Sequence, residues 1–235
     1  MFVVEQQDTY KPNYTKLSSD KLLFDDDMEI KATDGSNFSN DSLKNKYTYV
    51  FFGYTNCPDF CPDTLIKLKR LSNLVKNQNP DEKINVLFVN VDINDSLNKI
   101  KRYVEYFDSS FIGIKLEEDD LIRVTKNAGV YYKKISTEDG VDFFDHTGAI
   151  FLLDKNSKIM GIYTPPLIVD SLKDDILYNN HLRNFEIKDI SSLSNLRENS
   201  LLFLDASLFI SKVSLDVLIS LPSFSLKTKS VVWLL

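Results

Sequence analysis

The run Tyr47-Thr48-Tyr49-Val50-Phe51-Phe52-Gly53-Tyr54-Thr55-Asn56-Cys57-Pro58-Asp59-Phe60-Cys61-Pro62-Asp63-Thr64-Leu65 decides the fold. Its first six residues are β-branched or aromatic with no strongly polar face, and predict a strand buried on both sides. Beyond it the period changes. Leu65, Leu68, Leu71, Leu74 and Val75 recur at three and four, the apolar stripe of a helix facing a core. Cys57 and Cys61, the two cysteines of the chain, therefore fall in a strand-to-helix turn at the end of a central strand. Open α/β sheets place their functional loops there.

Two thiols four positions apart at a helix start can close a disulfide, or as thiolates grip one soft metal ion from the same side. The helix N-terminus favours negative charge in either case. Pro58 and Pro62 each follow a cysteine, remove a backbone donor and stiffen the turn. Free cysteine is often no more than a small buried apolar residue. Against that bland reading stands the gathering of both cysteines in one turn.

A chain of 235 residues suits one large domain, or one domain and part of a second, and can bury a real core. Hydrophobic content of 43% with 26% charged residues is ordinary for a soluble globular protein. A formal net charge of −6, with no basic stripe, argues against a nucleic-acid partner. Two cysteines are too few for a disulfide scaffold or, alone, for a structural zinc site. Met1-Phe2-Val3-Val4 is followed at once by Glu5, so no export signal or spanning helix is expected in the chain as given. Taken literally that reads as cytoplasmic; the alternative is a true start upstream, with these residues the tail of an anchor.

In chain order, residues 1–19 read as a linker or extended arm, or as the remnant of an anchor. Asp25-Asp26-Asp27 reads as a solvated turn rather than a cation site. Met28 to Ala32 alternates apolar and polar and, with Asp34-Gly35 after it, predicts a short hairpin. Ile84 to Val91 is nearly all apolar and predicts a second central strand. Leu97, Ile100, Tyr103, Val104 and Phe107 form the next helical stripe, with Asn94, Asp95 or Ser96 as its cap. This alternation calls for a parallel strand pair with a right-handed crossover. Phe111 to Lys115 is a short strand. Glu117 to Ala128 is a helix whose leading acids suit the macrodipole and need no metal. Phe143 to Asp154 and Ile159 to Tyr163 read as two antiparallel strands about a polar turn, with His146 at the mouth of the first. The only other histidine, His181, reads as a surface residue at the polar end of a helix from Ile168 to Leu182.

The motif from Gly53 to Leu65, followed by Val89-Asn90-Val91-Asp92 and later by Asp145-His146-Thr147, resembles the Sco/SenC family. The similarity covers roughly residues 20–182. It implies a thioredoxin-like α/β fold, a central mixed sheet with flanking helices, here with the N-terminal hairpin as an extension. It also implies copper binding through Cys57, Cys61 and His146. The implied function is a metallochaperone that delivers copper to the dinuclear site of cytochrome c oxidase during its assembly. The implied partner is the copper-site subunit of the oxidase or a similar cysteine-rich acceptor, and the implied location is the periplasmic face of the inner membrane or the cell envelope. Asp92 falls where the family carries an acidic residue near the site. The chain departs from the family in three ways: Ile93 replaces a proline and shortens the charged stretch around Asp95, the usual membrane anchor is missing, and residues 183–235 extend past the family domain. That extension reads as the start of a second domain cut short or as an element that docks on a partner.

Two thiolates and one imidazole make a soft ligand set; sulfur favours Cu(I), and the added nitrogen allows Cu(II). The ligand set alone leaves zinc open. Asp145 is expected at the surface, with an orienting role toward the imidazole as the alternative. The rival function is catalytic: Cys57 and Cys61 as the redox-active pair of a thiol-disulfide oxidoreductase acting on the cysteines of the oxidase copper site or another envelope protein. The spacing of three residues instead of two, and the lack of a proline before residues 147–153, count against a general-purpose reductase. Copper loading needs reduced cysteines, so the two roles are compatible.

Overall fold

The computed structural model describes residues 10–17, 22–136 and 142–179. Strand β4 (Tyr47–Gly53) is buried along all seven residues, as its unbroken apolar run requires. It pairs in parallel with β5 (Ile84–Asn90), from Tyr47 opposite Ile84 to Gly53 opposite Asn90, and β5 pairs in parallel with β6 (Ile112–Lys115). The expected hairpin forms as β2 (Ile30–Ala32) and β3 (Asn37–Phe38) and adds antiparallel to β6. On the other side of β4 lie β9 (Ile150–Leu153), β10 (Ile159–Tyr163) and a short edge strand β1 (Thr15–Lys16), all antiparallel to their neighbours. The result is an eight-stranded mixed sheet in the order β1-β10-β9-β4-β5-β6-β2-β3.

Helix α1 (Phe60–Gln78) follows β4 and turns Cys61, Thr64, Leu65, Leu68, Leu71 and Val75 inward, so the expected stripe starts one turn earlier, at Cys61 itself. Helix α2 (Leu97–Phe107) buries Ile100, Val104 and Phe107. Its cap is Ser96, whose Oγ accepts from the Lys99 N–H at 3.2 Å, rather than Asn94 or Asp95. Helix α3 (Glu118–Ala128) and a helix over residues 169–179 complete the layers.

The arm described by residues 10–17 runs extended along β10 and is tied down by Asp175, fully buried, which accepts from Tyr10 Oη, from the Asn13 N–H at 3.0 Å and from Tyr163 Oη at 2.8 Å. Three donors suffice to keep a buried carboxylate satisfied. Asp25 and Asp27 are both held by the guanidinium of Arg123, at 2.8 and 2.6 Å, so this acidic turn carries its own counter-charge. His181 and residues 183–235 lie outside the described residues.

One expectation is corrected. Phe143 to Asp154 is not a single strand. Its first part is β8 (Asp142–His146), which pairs with β7 (Tyr132–Ser136) in a separate two-stranded sheet, while only its second part, β9, joins the main sheet. The chain changes sheets at Thr147-Gly148-Ala149. There the Thr147 N–H still donates to the Tyr131 carbonyl at 2.9 Å, before Ile150 takes its place opposite Phe51.

Candidate metal centre

β4 ends at Gly53, the chain turns through residues 54–59, and α1 begins at Phe60. Cys57 thus lies in the turn and Cys61 in the first helical turn; both are free thiols, 9% and 0% exposed. The Cys61 N–H donates to Cys57 Sγ at 3.3 Å, a helix-start amide pointing at a sulfur. Gly53 allows this packing: a Cβ there would lie 2.8 Å from Phe88 Cε2 and 2.9 Å from Cys61 Sγ.

His146, at the end of β8, reaches the same place from the other sheet. Its Nε2 stands 3.8 Å from Cys61 Sγ, and its Nδ1 lies 3.2 Å from the Thr147 carbonyl oxygen. A metal ion bound at Nε2 requires the tautomer in which Nδ1–H donates to that carbonyl, and the carbonyl is placed to accept it. The backbone does the orienting, and Asp145 is exposed. Rings surround the imidazole: Phe51, Tyr54 and Phe60 each meet it edge-on with centroids 6.1 Å away.

The electrostatics are asymmetric. Cys57 is held well below the ordinary thiol range, first by the hydrogen bond from the Cys61 side chain, then, against the cost of burial, by His146 and the backbone N–H groups of Cys61 and Asp59. Cys61 is pushed up, because its proton is engaged with Cys57 and because it is buried. Burial raises the hydroxyls of Tyr54 and Tyr103, and negative charge on the cysteine pair raises them further. Thiolate character is thus favoured at Cys57, which is also the more accessible of the two sulfurs. Alkylation at about pH 6 should label Cys57 in preference to Cys61 by more than about tenfold, since thiolate is the reactive form. Peptide mass spectrometry reads the ratio, and equal labelling would contradict this charge assignment.

Asp92 is buried and accepts from the Asn94 N–H at 3.0 Å, and the N–H of its neighbour Val91 donates to the Gly53 carbonyl at 2.8 Å. Asp95 is corrected from a cap candidate to a tie. At 3% exposure it accepts from Thr55 Oγ1 at 2.7 Å and from Lys99 Nζ, fastening the cysteine turn to the start of α2. Sequence reading missed this tie and the ring surround, although Thr55, Phe60 and Gly53 all stand inside the quoted motif.

The donors suit a soft cation. Bonds of about 2.3 Å to sulfur and about 2.0 Å to nitrogen, opened to a roughly trigonal angle, would set the two atoms about 3.8 Å apart. That matches the observed Cys61–His146 separation. The described residues hold no ready-made cluster of three such donors around one point. The two sulfurs and the imidazole approach one another pairwise, and closing on one ion means drawing together.

The SCO1/SenC family model matches residues 18–177, well over half of the chain. An Arabidopsis thaliana protein named mitochondrial SCO1 homolog 1 is 29% identical over 161 residues, covering 68% of this chain and 48% of its own length; this chain thus spans about half of that relative. A SCO2-like protein of Rickettsia felis is 28% identical over 161 residues, covering 66% of this chain and 78% of its own length. Among solved structures, Arabidopsis thaliana ScoI with copper bound superposes with a TM-score of 0.62 at 29% identity, covering 66% of this chain and 96% of that one. The mixed sheet with its flanking helices is the thioredoxin-like fold of these structures. Fold, motif and family match agree: the chain belongs to the SCO1/SenC family.

Proposed function

We propose that this protein binds one copper ion through Cys57, Cys61 and His146 and delivers it to the cysteine-rich copper site of cytochrome c oxidase during its assembly. The observation that carries the reading is the approach of the His146 imidazole, Nε2 3.8 Å from Cys61 Sγ, to a pair of reduced cysteines on a separate element. The working domain is residues 20–182, which the family match supports. The Arabidopsis neighbour with copper bound supports copper as the cargo. Among the described residues no helix is long and apolar enough to cross a membrane. The setting we propose is the envelope face where the oxidase copper site is assembled, in line with relatives named as mitochondrial.

This chain's residues supply a sulfur pair in which thiolate character is favoured at Cys57. Copper capture displaces whatever protons the thiols still carry, and transfer exchanges these sulfurs for those of the acceptor, leaving Cys57 and Cys61 reduced. A disulfide between them removes both sulfur donors and stops binding. Incubation of the copper-loaded protein with a reduced, copper-free dicopper domain should move copper to the acceptor. Retention of copper at equilibrium would count against delivery.

A second reading is favoured by the depressed Cys57 and its buried partner. Cys57 thiolate would attack an acceptor disulfide to give a mixed disulfide, and Cys61 would resolve it, so that the acceptor gains two electrons and this protein is oxidised. Offering an oxidised acceptor in place of the reduced one separates the readings. Rapid reduction without any copper binding assigns the chain to the second.

A further inference from the structure

Phe60 stands between the two cysteines and has no donor atom to offer a metal. It is 37% exposed, so it lies at the rim of the site rather than in the core. Its ring lies against Gly148, two residues past His146: a Cβ at 148 would come within 2.6 Å of Phe60 Cζ and 3.0 Å of Cε1. The same ring meets the His146 imidazole at 68° and the Phe51 ring at 52°, both with centroids 6.1 Å away. One side chain on the first turn of α1 therefore touches the segment that carries the nitrogen donor, just where that segment leaves β8 and crosses to the main sheet.

That contact bears on the metal site because the three donors approach only in pairs. The sulfurs are fixed together by the turn and the helix start, whereas His146 arrives from the small β7–β8 sheet. Its seating depends on what holds residues 146–148 against α1. We propose that Phe60 is a positioning residue that clasps the His146 segment onto the cysteine turn, with Gly148 as the socket for its ring. This rests on His146 being a copper ligand. An exposed phenylalanine alone would be unremarkable surface; what distinguishes this one is that its ring occupies the space a side chain at 148 would need.

The chemistry gives the clasp a signature. Two thiolates largely satisfy Cu(I), while Cu(II) draws more on the nitrogen donor. Loosening His146 should cost Cu(II) much more than Cu(I). Phe60→Ala removes the ring, and Gly148→Ala expels it with a single methyl group, so opposite changes in volume should give the same result. Phe60→Leu keeps part of the contact.

The test is anaerobic competition titration of Cu(I) and Cu(II) on the reduced full chain, with the Cu(II) sulfur charge-transfer band recorded and thermal unfolding checked for each variant. Wild type, Phe60→Ala, Phe60→Leu, Gly148→Ala and His146→Ala are compared. In Phe60→Ala and Gly148→Ala, Cu(II) affinity should fall about tenfold, the scale of losing an orienting contact at a metal site. Cu(I) affinity should change by less than about twofold, the charge-transfer band should shift, and Phe60→Leu should fall between. Parallel loss of both ions in the two alanine variants, or no change in either while His146→Ala still loses Cu(II), overturns the clasp. No effect of His146→Ala itself overturns the ligand assignment beneath it, and with it the clasp.

Discussion

His146→Ala should lower Cu(II) affinity by at least about tenfold to a hundredfold and leave Cu(I) affinity within a factor of a few. The asymmetry follows from the donors. Cu(I) is soft and accepts low coordination, so Cys57 and Cys61 can hold it between them. Cu(II) favours nitrogen as well as sulfur, and His146 is the only histidine among the described residues. The change should also be quiet structurally. The imidazole is half-buried at the end of a two-stranded sheet, and its polar contacts are the Thr147 carbonyl and the sulfurs. Titration of both copper states beside a thermal melt makes the comparison. Unchanged Cu(II) binding with an intact fold would remove His146 from the site and leave a dithiol.

The second large effect is expected at Gly53→Ala. The new methyl would sit 2.8 Å from Phe88 Cε2, 2.9 Å from Cys61 Sγ and 3.1 Å from Phe51 Cε1, and Phe88, Phe51 and Cys61 are all fully buried. Overpacking of this kind costs about 1–3 kcal/mol. For a domain of this size each kcal/mol lowers the melting temperature by about 2–4 °C. The larger consequence is local. Cys61 can yield only by moving its sulfur away from the sheet, which changes the separation from His146 and should weaken binding of both copper states. Loss of both ions together marks a sulfur displaced, whereas His146→Ala selects between them. An unchanged melt and unchanged titrations would mean that the turn gives way more easily than its packing suggests.

Much of this is legible in the amino-acid sequence itself. The apolar run of β4 has no polar face because both faces are covered, and Leu65, Leu68, Leu71 and Val75 carry helical spacing because α1 packs on the sheet. Local period encodes both features. The pairing of His146 with the cysteines was legible only through family resemblance, since nothing local links residue 146 to residue 57. The break at residues 147–149 was not legible. The residues on either side are extended and largely apolar, and periodicity does not report which sheet a strand has joined. Asp95 is equally instructive: beside a helix start it satisfies the rules for a cap, yet Thr55, forty positions away, claims one of its oxygens. Long-range partners of that kind leave no trace in spacing.

The short strand β1 also has a consequence for how this domain behaves in concentrated solution. By occupying the outer side of β10, Thr15 and Lys16 cover backbone groups of Gly161 and Ile162 that would otherwise invite strand addition from another molecule. Gly161 has no side chain to block such an approach, and a Cβ there would strike Tyr14 at 2.2 Å and the Thr15 carbonyl at 2.8 Å. Tyr10, Asn13 and Tyr14, anchored through Asp175 and Tyr163, thus act as a guard against self-association, and a version trimmed to begin at residue 22 would expose a sticky flank.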